Sequence, residues 1–233
     1  ILGSRCTRNC RFCDVRCGKG ETPDPEEPEK IALAAKKLGL AHVVVTCVTR
    51  DDLPDGGASQ FAAVVRALRK HCPGAAVELL ISDFQGNEAA LDTVLESRPD
   101  VLGHNMETVK RLYPAVRPQA IYERSLEVLA YCKRQLPSVY TKTGFMAGLG
   151  ESDAEIDVLM NDILQTGCDI LTVSQYLQPS NNHAPLVRYV TPEQFEEYKR
   201  LALRKGFRHV VSTPLTRSSY LAADAFAEIR RQT

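Results

Sequence analysis

The sequence predicts an α/β fold built on a parallel β-sheet. Short apolar runs rich in β-branched residues recur along the 233-residue chain, and segments with Leu and Ala at helical spacing follow them. One run, VVVTC at 43–47, is apolar on both faces, which is typical of a parallel strand covered by helices. This alternation predicts a βα repeat that is either doubly wound or curled into a barrel.

The predicted elements alternate about six times, with one further strand and a last helix at the end. Strands are predicted at 1–4, 41–47, 76–82, 100–105, 139–149, 169–176 and 208–213. Helices are predicted at 25–40, 57–71, 86–98, 107–116, 123–136, 153–167 and 192–206, and the last one begins near 221. No Pro/Gly/Ser-rich linker divides the chain, so we predict one domain over 1–233. Its core covers about 1–190, and a C-terminal extension covers about 191–233.

Composition argues against two classes of partner. Lys and Arg together number 29, as do Asp and Glu, so no excess charge favours nucleic acid or an anionic membrane. No apolar run approaches the roughly 20 residues that a membrane span needs.

Residue 1 is Ile and already belongs to a predicted strand, so we expect the natural N-terminus to lie upstream. We expect a monomer.

Cysteine usage predicts a reducing compartment. Eight cysteines in a chain with 44% apolar residues do not suit the disulfide framework of a small secreted domain. We therefore expect the cytoplasm, with a mitochondrial or plastid matrix as the alternative. Four cysteines are scattered singly and are predicted to be small core residues: Cys47, Cys72, Cys132 and Cys168.

The stretch CTRNCRFC places Cys6, Cys10 and Cys13 in one short loop after the first predicted strand. Thiolates this close are metal ligands more readily than disulfide partners, because every pair competes for the same loop. Zinc sites typically combine two C-x₂₋₄-C pairs, and no second C-x₂-C occurs here. With Cys17 as a fourth ligand, the spacing would still differ from that of bacterial ferredoxins. Three thiolates would leave one iron of a cubane cluster open, as a catalytic metal site requires.

This C-x₃-C-x₂-C motif, with Phe12 before its third cysteine, resembles that of the radical S-adenosylmethionine (SAM) enzymes. The resemblance implies a partial (βα)6-type barrel with one further strand and helix at the C-terminal end. It also implies a [4Fe-4S] cluster on Cys6, Cys10 and Cys13, whose open iron binds the amino and carboxylate groups of SAM. In that superfamily one electron cleaves SAM, and the resulting 5′-deoxyadenosyl radical abstracts hydrogen from an unactivated C–H bond. No catalytic side chain is assigned, because the cluster and SAM carry the chemistry.

Further motifs resemble those of lipoyl synthases over about residues 1–220. They are RCTRNCRFCDV, VVVTCVTRDDLPDGGA, GHNMETV, RLYPAVRP, TKTGFMAGLGE, SQYLQPS, RYVTPEQF and GFRHVVSTPLTRSSY. This resemblance implies insertion of two sulfur atoms, at C6 and C8 of an octanoyl chain carried on a lysine. The carrier would be a lipoyl domain or an H-type protein of glycine cleavage. The electron donor would be a ferredoxin or a flavodoxin.

In lipoyl synthases a second, auxiliary [4Fe-4S] cluster is the sulfur source. Three cysteines of an N-terminal C-x₄-C-x₅-C element hold it, together with a serine of R-S-S-Y. Here R-S-S-Y occupies 217–220, and the resemblance assigns Ser219 as that ligand; Ser218 and Ser219 are alternatively the N-cap of the last helix. The cysteine element does not occur in this chain, since in the family it precedes the region where the chain begins. Two alternatives therefore stay open: a chain that cleaves SAM without inserting sulfur, and an electron-carrier or metal-binding module completed by Cys17.

Polar side chains at strand ends are candidates for binding SAM. The loops after the strands share one face in both architectures, so these side chains should lie together. The candidates are Thr46, Asn105, Glu107 and Lys142. Each has an alternative role in capping or packing; Glu107, for example, would stabilise the start of a helix at 107–116.

Other polar features have simpler expectations. The loop DDLPDGGA at 51–58 predicts a turn into the next helix, with Asp55 or Gly56 near its cap. His104 is predicted to be a core residue and His183 a surface-loop residue. In QYLQPS, Tyr176 and Leu177 are candidates to line the octanoyl channel.

Basic residues surround the cysteine motif. We predict solvated charge there, although the same charge would favour an anionic cluster or an acidic carrier domain. The residues are Arg5, Arg8, Arg11, Arg16 and Lys19.

Overall fold

A six-stranded parallel sheet forms the centre of the computed structural model, which describes residues 1–217, 219 and 221–231. Its strands are β3 (His42–Thr46), β4 (Ala76–Leu80), β5 (Val101–Gly103), β6 (Tyr140–Ala147), β7 (Ile170–Gln175) and β8 (His209–Ser212). Two short strands outside this sheet, β1 (Arg5–Cys6) and β2 (Arg16–Cys17), pair with each other in parallel. The central strands lie in chain order from β3 to β8, whereas a doubly wound sheet reverses its order. The order of the strands in the sheet therefore confirms the α/β class and the partial barrel.

Eight α-helices connect or follow the strands in the described chain. They are α1 (Glu27–Leu38), α2 (Ala58–His71), α3 (Glu88–Glu96), α4 (Tyr113–Val116), α5 (Tyr122–Gln135), α6 (Asp153–Gln165), α7 (Pro192–Lys205) and α8 (Ala222–Arg231). Local sequence sets several of their ends. Ser152 and Glu155 form a capping box at the start of α6. Gly206, at a φ of 118°, ends α7 in the left-handed conformation that glycine adopts without strain.

The helices cover the outer face of the sheet. Val77 and Leu79 of β4 belong to one apolar cluster with Phe61 of α2, and Phe145 of β6 packs with Leu159 of α6 in another. These strand residues alternate with residues that point to the inner face. The inner face is thus free to carry polar groups.

A buried ion pair lies on this inner face. The Lys142 ammonium is 2.7 Å from Glu78 Oε1, and His42 Nε2 is 3.1 Å from Glu78 Oε2. All three side chains are at most 6% exposed. Removing Glu78 or Lys142 would leave the other charge buried without its ion-pair partner from the other strand, which is costly in an interior.

Helix α8 covers the end of the barrel where the strands begin. Phe226 packs edge-on against His42, with ring centroids 5.6 Å apart, and Ile229 packs with Val101 and Ile170. The helix contacts both edge strands, β3 and β8. It therefore separates the buried ion pair from solvent at that end, and the opposite end stays available for a site.

Three local predictions were wrong. Residues 1–4 form no strand, so the run at 208–213 supplies the sixth strand of the sheet rather than an additional one. The predicted helix at 107–116 is reduced to a 3₁₀ turn, Lys110–Leu112, and the single turn of α4. Glu107 instead has a φ of 65° and forms a bridge to Phe145 of β6, which a helical residue could not do.

No helix in the described ranges combines the length and apolarity that crossing a bilayer requires.

Candidate active site

The thiols of Cys6, Cys10 and Cys13 line one cavity at the carboxyl ends of the strands. The space inside it, part of which is open to solvent, is about 830 Å³. Backbone N–H groups two residues further along the chain donate to two of the sulfurs: Arg8 N lies 3.4 Å from Cys6 Sγ, and Val15 N lies 3.5 Å from Cys13 Sγ. Such N–H donors stabilise a thiolate over a thiol.

The donor set fits an iron–sulfur cluster better than a single metal ion. All eight cysteines are free, and no three His, Cys, Asp or Glu side chains of the described residues converge closely enough for one ion. A cubane spreads its thiolates over three irons, so the three thiols need only line a common wall. Burial raises the pKa of Cys10 and Cys13, while the Arg117 charge counters that shift at Cys10.

Cys17 lies outside this set. It is exposed and does not line the cavity, although it pairs with Cys6 in the β1–β2 ladder.

The four cysteines predicted as core residues differ in burial. Cys132 and Cys168 are buried, and Cys72 is partly buried against the apolar cluster that contains Phe61. Cys47 also packs against this cluster but lines the cavity, where burial raises its pKa to about 12 and keeps it a thiol.

Arg8 anchors the cysteine loop to two strand ends. Its guanidinium forms a two-pronged ion pair with Asp51, at 2.7 and 2.9 Å, and a second ion pair with Asp83. The Arg8 side chain is 4% exposed and that of Asp83 is fully buried. Burial alone would raise the pKa of Asp83, but the ion pair with Arg8 holds it at about 2. The prediction of solvated charge was therefore wrong for Arg8.

The segment after β3 supports the same loop through its backbone. Thr7 N and Thr7 Oγ1 both donate to the Thr49 carbonyl, and Asp51 N donates to Thr7 Oγ1. Arg50, paired with Asp52, donates to the carbonyl of Leu2. The R-D-D segment is thus a brace for the cysteine loop.

The end of the same motif confirms the predicted turn. The Asp55 carboxylate accepts hydrogen bonds from Gly57 N and Ser59 N, at 2.9 and 2.8 Å, and α2 begins at Ala58.

Three of the four predicted SAM contacts line the cavity: Thr46, Asn105 and Glu107. Glu107 is held in position through its backbone, because its N–H donates to the Gly144 carbonyl and its own carbonyl accepts from Met146 N, each at 2.9 Å. Burial raises the pKa of Glu107, and a hydrogen bond from the Asn105 side chain opposes that shift. Lys142 does not line the cavity, since its ammonium is bound to Glu78 inside the barrel.

Arg117 supplies a positive charge to the same wall. Its guanidinium donates to the carbonyls of Asn105 and Met106 and to the Tyr113 hydroxyl. Its side chain is buried, yet Nε has no hydrogen-bond partner among the described residues. Arg117 therefore fixes the loop after β5 and brings a positive charge to the cavity wall.

A second cavity adjoins the first and shares Phe12, Asn105 and Glu107 with it. Its further lining includes Met146, Ser174, Tyr176, Leu177 and Arg217. Both residues predicted for the octanoyl channel, Tyr176 and Leu177, thus line a cavity next to the thiols. The Tyr176 hydroxyl is fixed by a 2.6 Å hydrogen bond to the Ala184 carbonyl.

Comparison with known proteins agrees with this arrangement. Residues 1–163 match the family model of the radical SAM superfamily. The lipoyl synthase of Rubrobacter xylanophilus is 56% identical over 231 residues, which cover 99% of this chain and 72% of the relative. The lipoyl synthase of Caldanaerobacter subterraneus subsp. tengcongensis is 54% identical over 95% of this chain and 78% of its own. This chain belongs to the lipoyl synthase family.

The lipoyl synthase family is an enzyme family of lipoate biosynthesis, and its radical SAM domain implies a [4Fe-4S] cluster and SAM as cofactors. A solved structure, that of HydG, a maturase of the [FeFe]-hydrogenase, supports the fold. It matches with a TM-score of 0.71 at 14% identity, over 98% of this chain and 53% of the other.

The lipoyl synthase motif R-S-S-Y, at 217–220, precedes α8 in the sequence. Ser219 is exposed, and its carbonyl accepts a hydrogen bond from Ala222 N, while Ser218 and Tyr220 lie outside the described residues. Arg217, the first residue of the motif, lines the second cavity. The assignment of Ser219 as an auxiliary-cluster ligand stays a prediction.

Sequence reasoning missed four residues of this lipoyl synthase site: Arg8, Asp51, Asp83 and Arg117. Three of them stand in quoted motifs, R-C-T-R-N-C-R-F-C-D-V, R-D-D-L and R-L-Y-P-A-V-R-P, which were the available signal. Their partners are far apart along the chain, so the sequence alone could not pair them. His183, predicted to be a surface residue, also contacts the loop, with Nε2 3.2 Å from the Cys13 carbonyl.

His104 is a core residue, as predicted, and it makes the folding stability of this protein depend on pH. It is buried, with Nδ1 3.0 Å from the Ile81 carbonyl and Nε2 3.0 Å from Ser125 Oγ. Burial, together with the Arg117 charge, lowers the pKa of His104 from 6.5 to about 4. The unfolded chain takes up this proton near pH 6.5 and the folded chain only near pH 4. Stability from His104 is therefore complete above pH 6.5 and is lost as the pH falls towards 4.

We predict that wild-type protein without its cluster loses about 2 kcal/mol through His104 between pH 7.5 and pH 5. Urea unfolding at both pH values measures this loss. His104→Gln, which has no ring to protonate, should lose less by about that amount, and His183→Gln is the control. Equal losses in wild type and His104→Gln would contradict the assignment.

Proposed function

We propose that this chain is a radical SAM sulfurtransferase that inserts two sulfur atoms at C6 and C8 of a protein-bound octanoyl-lysine. One observation carries the proposal: the three thiols share a cavity with Thr46, Asn105 and Glu107, and that cavity adjoins a second one. A radical generator and a binding site for a chain to be attacked would need this adjacency. Membership of the lipoyl synthase family supports the choice of substrate.

Cys6, Cys10 and Cys13 would hold the [4Fe-4S] cluster. When bound, the cluster supplies the electron that cleaves SAM to a 5′-deoxyadenosyl radical, which can attack methylene C–H bonds that no acid or base can activate. Thr46, Asn105 and Glu107 would hydrogen-bond the SAM molecule. The positive charge of Arg117 on the cavity wall suits an anionic group on the cofactor.

The second cavity would receive the octanoyl chain. Met146, Tyr176 and Leu177 offer apolar surface for its methylenes, and Phe12 lies where the two cavities meet. Ser219, two residues after Arg217 in the chain, would contribute an oxygen ligand to an auxiliary [4Fe-4S] cluster. That cluster would be the sulfur source. Lys142 has its own partner in Glu78 and is not among the proposed cofactor contacts.

The partners follow from this chemistry. The octanoyl group would arrive on a lipoyl carrier domain or an H-type protein, and a ferredoxin or flavodoxin would supply electrons. Because oxygen destroys such clusters and oxidises their thiolate ligands, we place the protein in a reducing compartment, the cytoplasm.

An octanoyl-lysine peptide deuterated at C6 and C8 tests the proposal. The anaerobically reconstituted protein is given this peptide, SAM and dithionite, and the products are followed by mass spectrometry. We expect deuterium in the 5′-deoxyadenosine, and a monothiolated peptide followed by a dithiolated one. Each sulfur replaces one C–H bond, so two 5′-deoxyadenosine molecules should form per dithiolated product.

The alternatives give different products. Unlabelled 5′-deoxyadenosine with unchanged peptide would show SAM cleavage uncoupled from sulfur insertion. No 5′-deoxyadenosine despite a full iron complement would favour an electron-carrier or metal-binding module. A Ser219→Ala variant that still transfers deuterium but makes no thiolated product would support the auxiliary-cluster assignment.

A further inference from the structure

The outer side of the cysteine loop carries exposed basic side chains. The first twenty residues contain five basic residues and one acidic residue, although the whole chain is balanced at 29 of each sign. Arg8 is neutralised in the interior, whereas the other four are exposed. We call these four residues the basic rim: Arg5, Arg11, Arg16 and Lys19.

The positive charges of the basic rim are not neutralised within the described part of the chain. None of its four side chains forms an ion pair with any described residue. Asp14, the acidic residue of the loop, lies 3.7 Å from His183, and Asp52, the carboxylate near Lys19, is bound to Arg50. Arg5 and Arg16 also lie directly opposite each other in the β1–β2 ladder, where like charges destabilise the pair. A partner with negative charge would relieve this repulsion.

Arg11 of the basic rim lines a surface cleft that also includes Cys10. Asn9, Cys10 and Arg11 form one wall, and residues 181–183 form the other. The two walls are joined by hydrogen bonds from Arg11 to the Asn182 carbonyl and from Ala184 N to the Arg11 carbonyl. Cys10 lines both this outer cleft and the inner cavity. The cleft is therefore a place where a protein outside the barrel comes close to a thiol of the cluster loop.

We propose that the basic rim and this cleft dock a small acidic electron-carrier protein, which reduces the cluster by one electron and is itself oxidised by one electron. The inference rests on the proposed function, which requires one electron for each SAM cleaved. Complementary charge would steer the carrier to the cleft and orient it there. The octanoylated carrier domain suits this surface less well, because the second cavity shares no lining residue with the cleft.

A charge reversal on the rim tests the inference. Arg16→Glu/Lys19→Glu changes two exposed residues that take no part in the site. Lys36→Glu/Lys37→Glu, on the exposed side of α1, makes the same change in net charge elsewhere. The rate of 5′-deoxyadenosine formation is measured against the concentration of reduced flavodoxin, at about 20 and 200 mM salt.

We expect the rim variant to raise the KM for flavodoxin at least about tenfold at low salt and to lose most of its salt dependence. Its kcat, and the rate with dithionite, should match wild type, and the Lys36/Lys37 variant should behave as wild type throughout. An unchanged KM in the rim variant, or an equal rise in the control, would overturn the inference. So would a rise in KM for the octanoylated carrier protein alone, which would assign the rim to the substrate.

Failure of the proposed function gives a separate result. In that case dithionite would yield no 5′-deoxyadenosine from any variant. Binding of flavodoxin to the cluster-loaded protein, measured by calorimetry, would then decide the matter. Loss of binding in the rim variant but not in the control would support the docking surface, and equal binding in both would refute it.

Discussion

Replacing Cys10 with Ala is expected to abolish formation of 5′-deoxyadenosine from SAM. Cys10 is one of only three thiols in the loop that line the cavity, so its loss leaves two ligands where a cluster with one open iron needs three. Iron bound per chain should fall after anaerobic reconstitution, and the absorbance of the cluster should fall with it. Iron analysis, visible spectroscopy and chromatographic assay of 5′-deoxyadenosine measure these effects.

Cys17→Ala is the matched control for this prediction. Cys17 is close to Cys6 in the β1–β2 ladder but is exposed and lies outside the cavity. The variant should keep its iron and its SAM cleavage. Loss of the cluster in Cys17→Ala as well as in Cys10→Ala would instead indicate a four-thiolate module in which Cys17 is a ligand.

That Cys6, Cys10 and Cys13 line one cavity could be predicted from the sequence, because their geometry is local. Cys6, Cys10 and Cys13 lie in one loop, so their spacing already restricts where the thiols can point. Thr46, Asn105 and Glu107 were predictable for a different reason. Strand ends of a parallel barrel meet at one face, whatever the distance between them along the chain.

Pairings between distant residues could not be predicted. Arg8 and Asp83 are 75 residues apart, and Lys142 and Glu78 are 64 apart. A single sequence shows charged residues at these positions but not which register will bring them together. The strand register places Glu78 opposite Val101, and Gly103, two residues further along β5, opposite Lys142. Lys142 therefore meets Glu78 across the glycine-containing strand, on the inner face, rather than a cofactor at the strand ends.

The prediction of a helix at 107–116 was wrong for a related reason. Its composition is compatible with a helix, but the backbone of Glu107 bonds to Gly144 and Met146 of β6. These tertiary bonds hold Glu107 at a φ of 65° and direct it to the cavity. Tertiary hydrogen bonds thus override the local helical preference of this segment.

Arg8→Met is expected to destabilise the protein by about 3 kcal/mol and to lower the yield of cluster. Methionine keeps much of the side-chain volume but leaves the fully buried Asp83 with only Arg124, 3.3 Å away, as a charged partner. Because the ion pair holds the pKa of Asp83 at about 2, its contribution is complete above pH 4 and is lost as the pH falls towards 2. Urea unfolding near neutral pH therefore measures the whole effect.

A double-mutant cycle separates the ion pair from the volume of the side chain. Arg8→Met/Asp83→Asn should be less destabilised than the sum of its single variants, because no uncompensated carboxylate remains in the interior. The iron content per chain is a second measurement, and a change in the free energy of unfolding alone does not alter it. If Arg8 positions the loop, the double variant should regain stability but not the full iron content, because the loop has still lost its anchor to β3 and β4. Arg5→Met, an exposed residue of the same loop with no ion pair among the described residues, should behave as wild type in both measurements. Full recovery of iron in the double variant would contradict a positioning role for Arg8. Arg8 would then contribute only to stability, and the cluster itself would order the thiols.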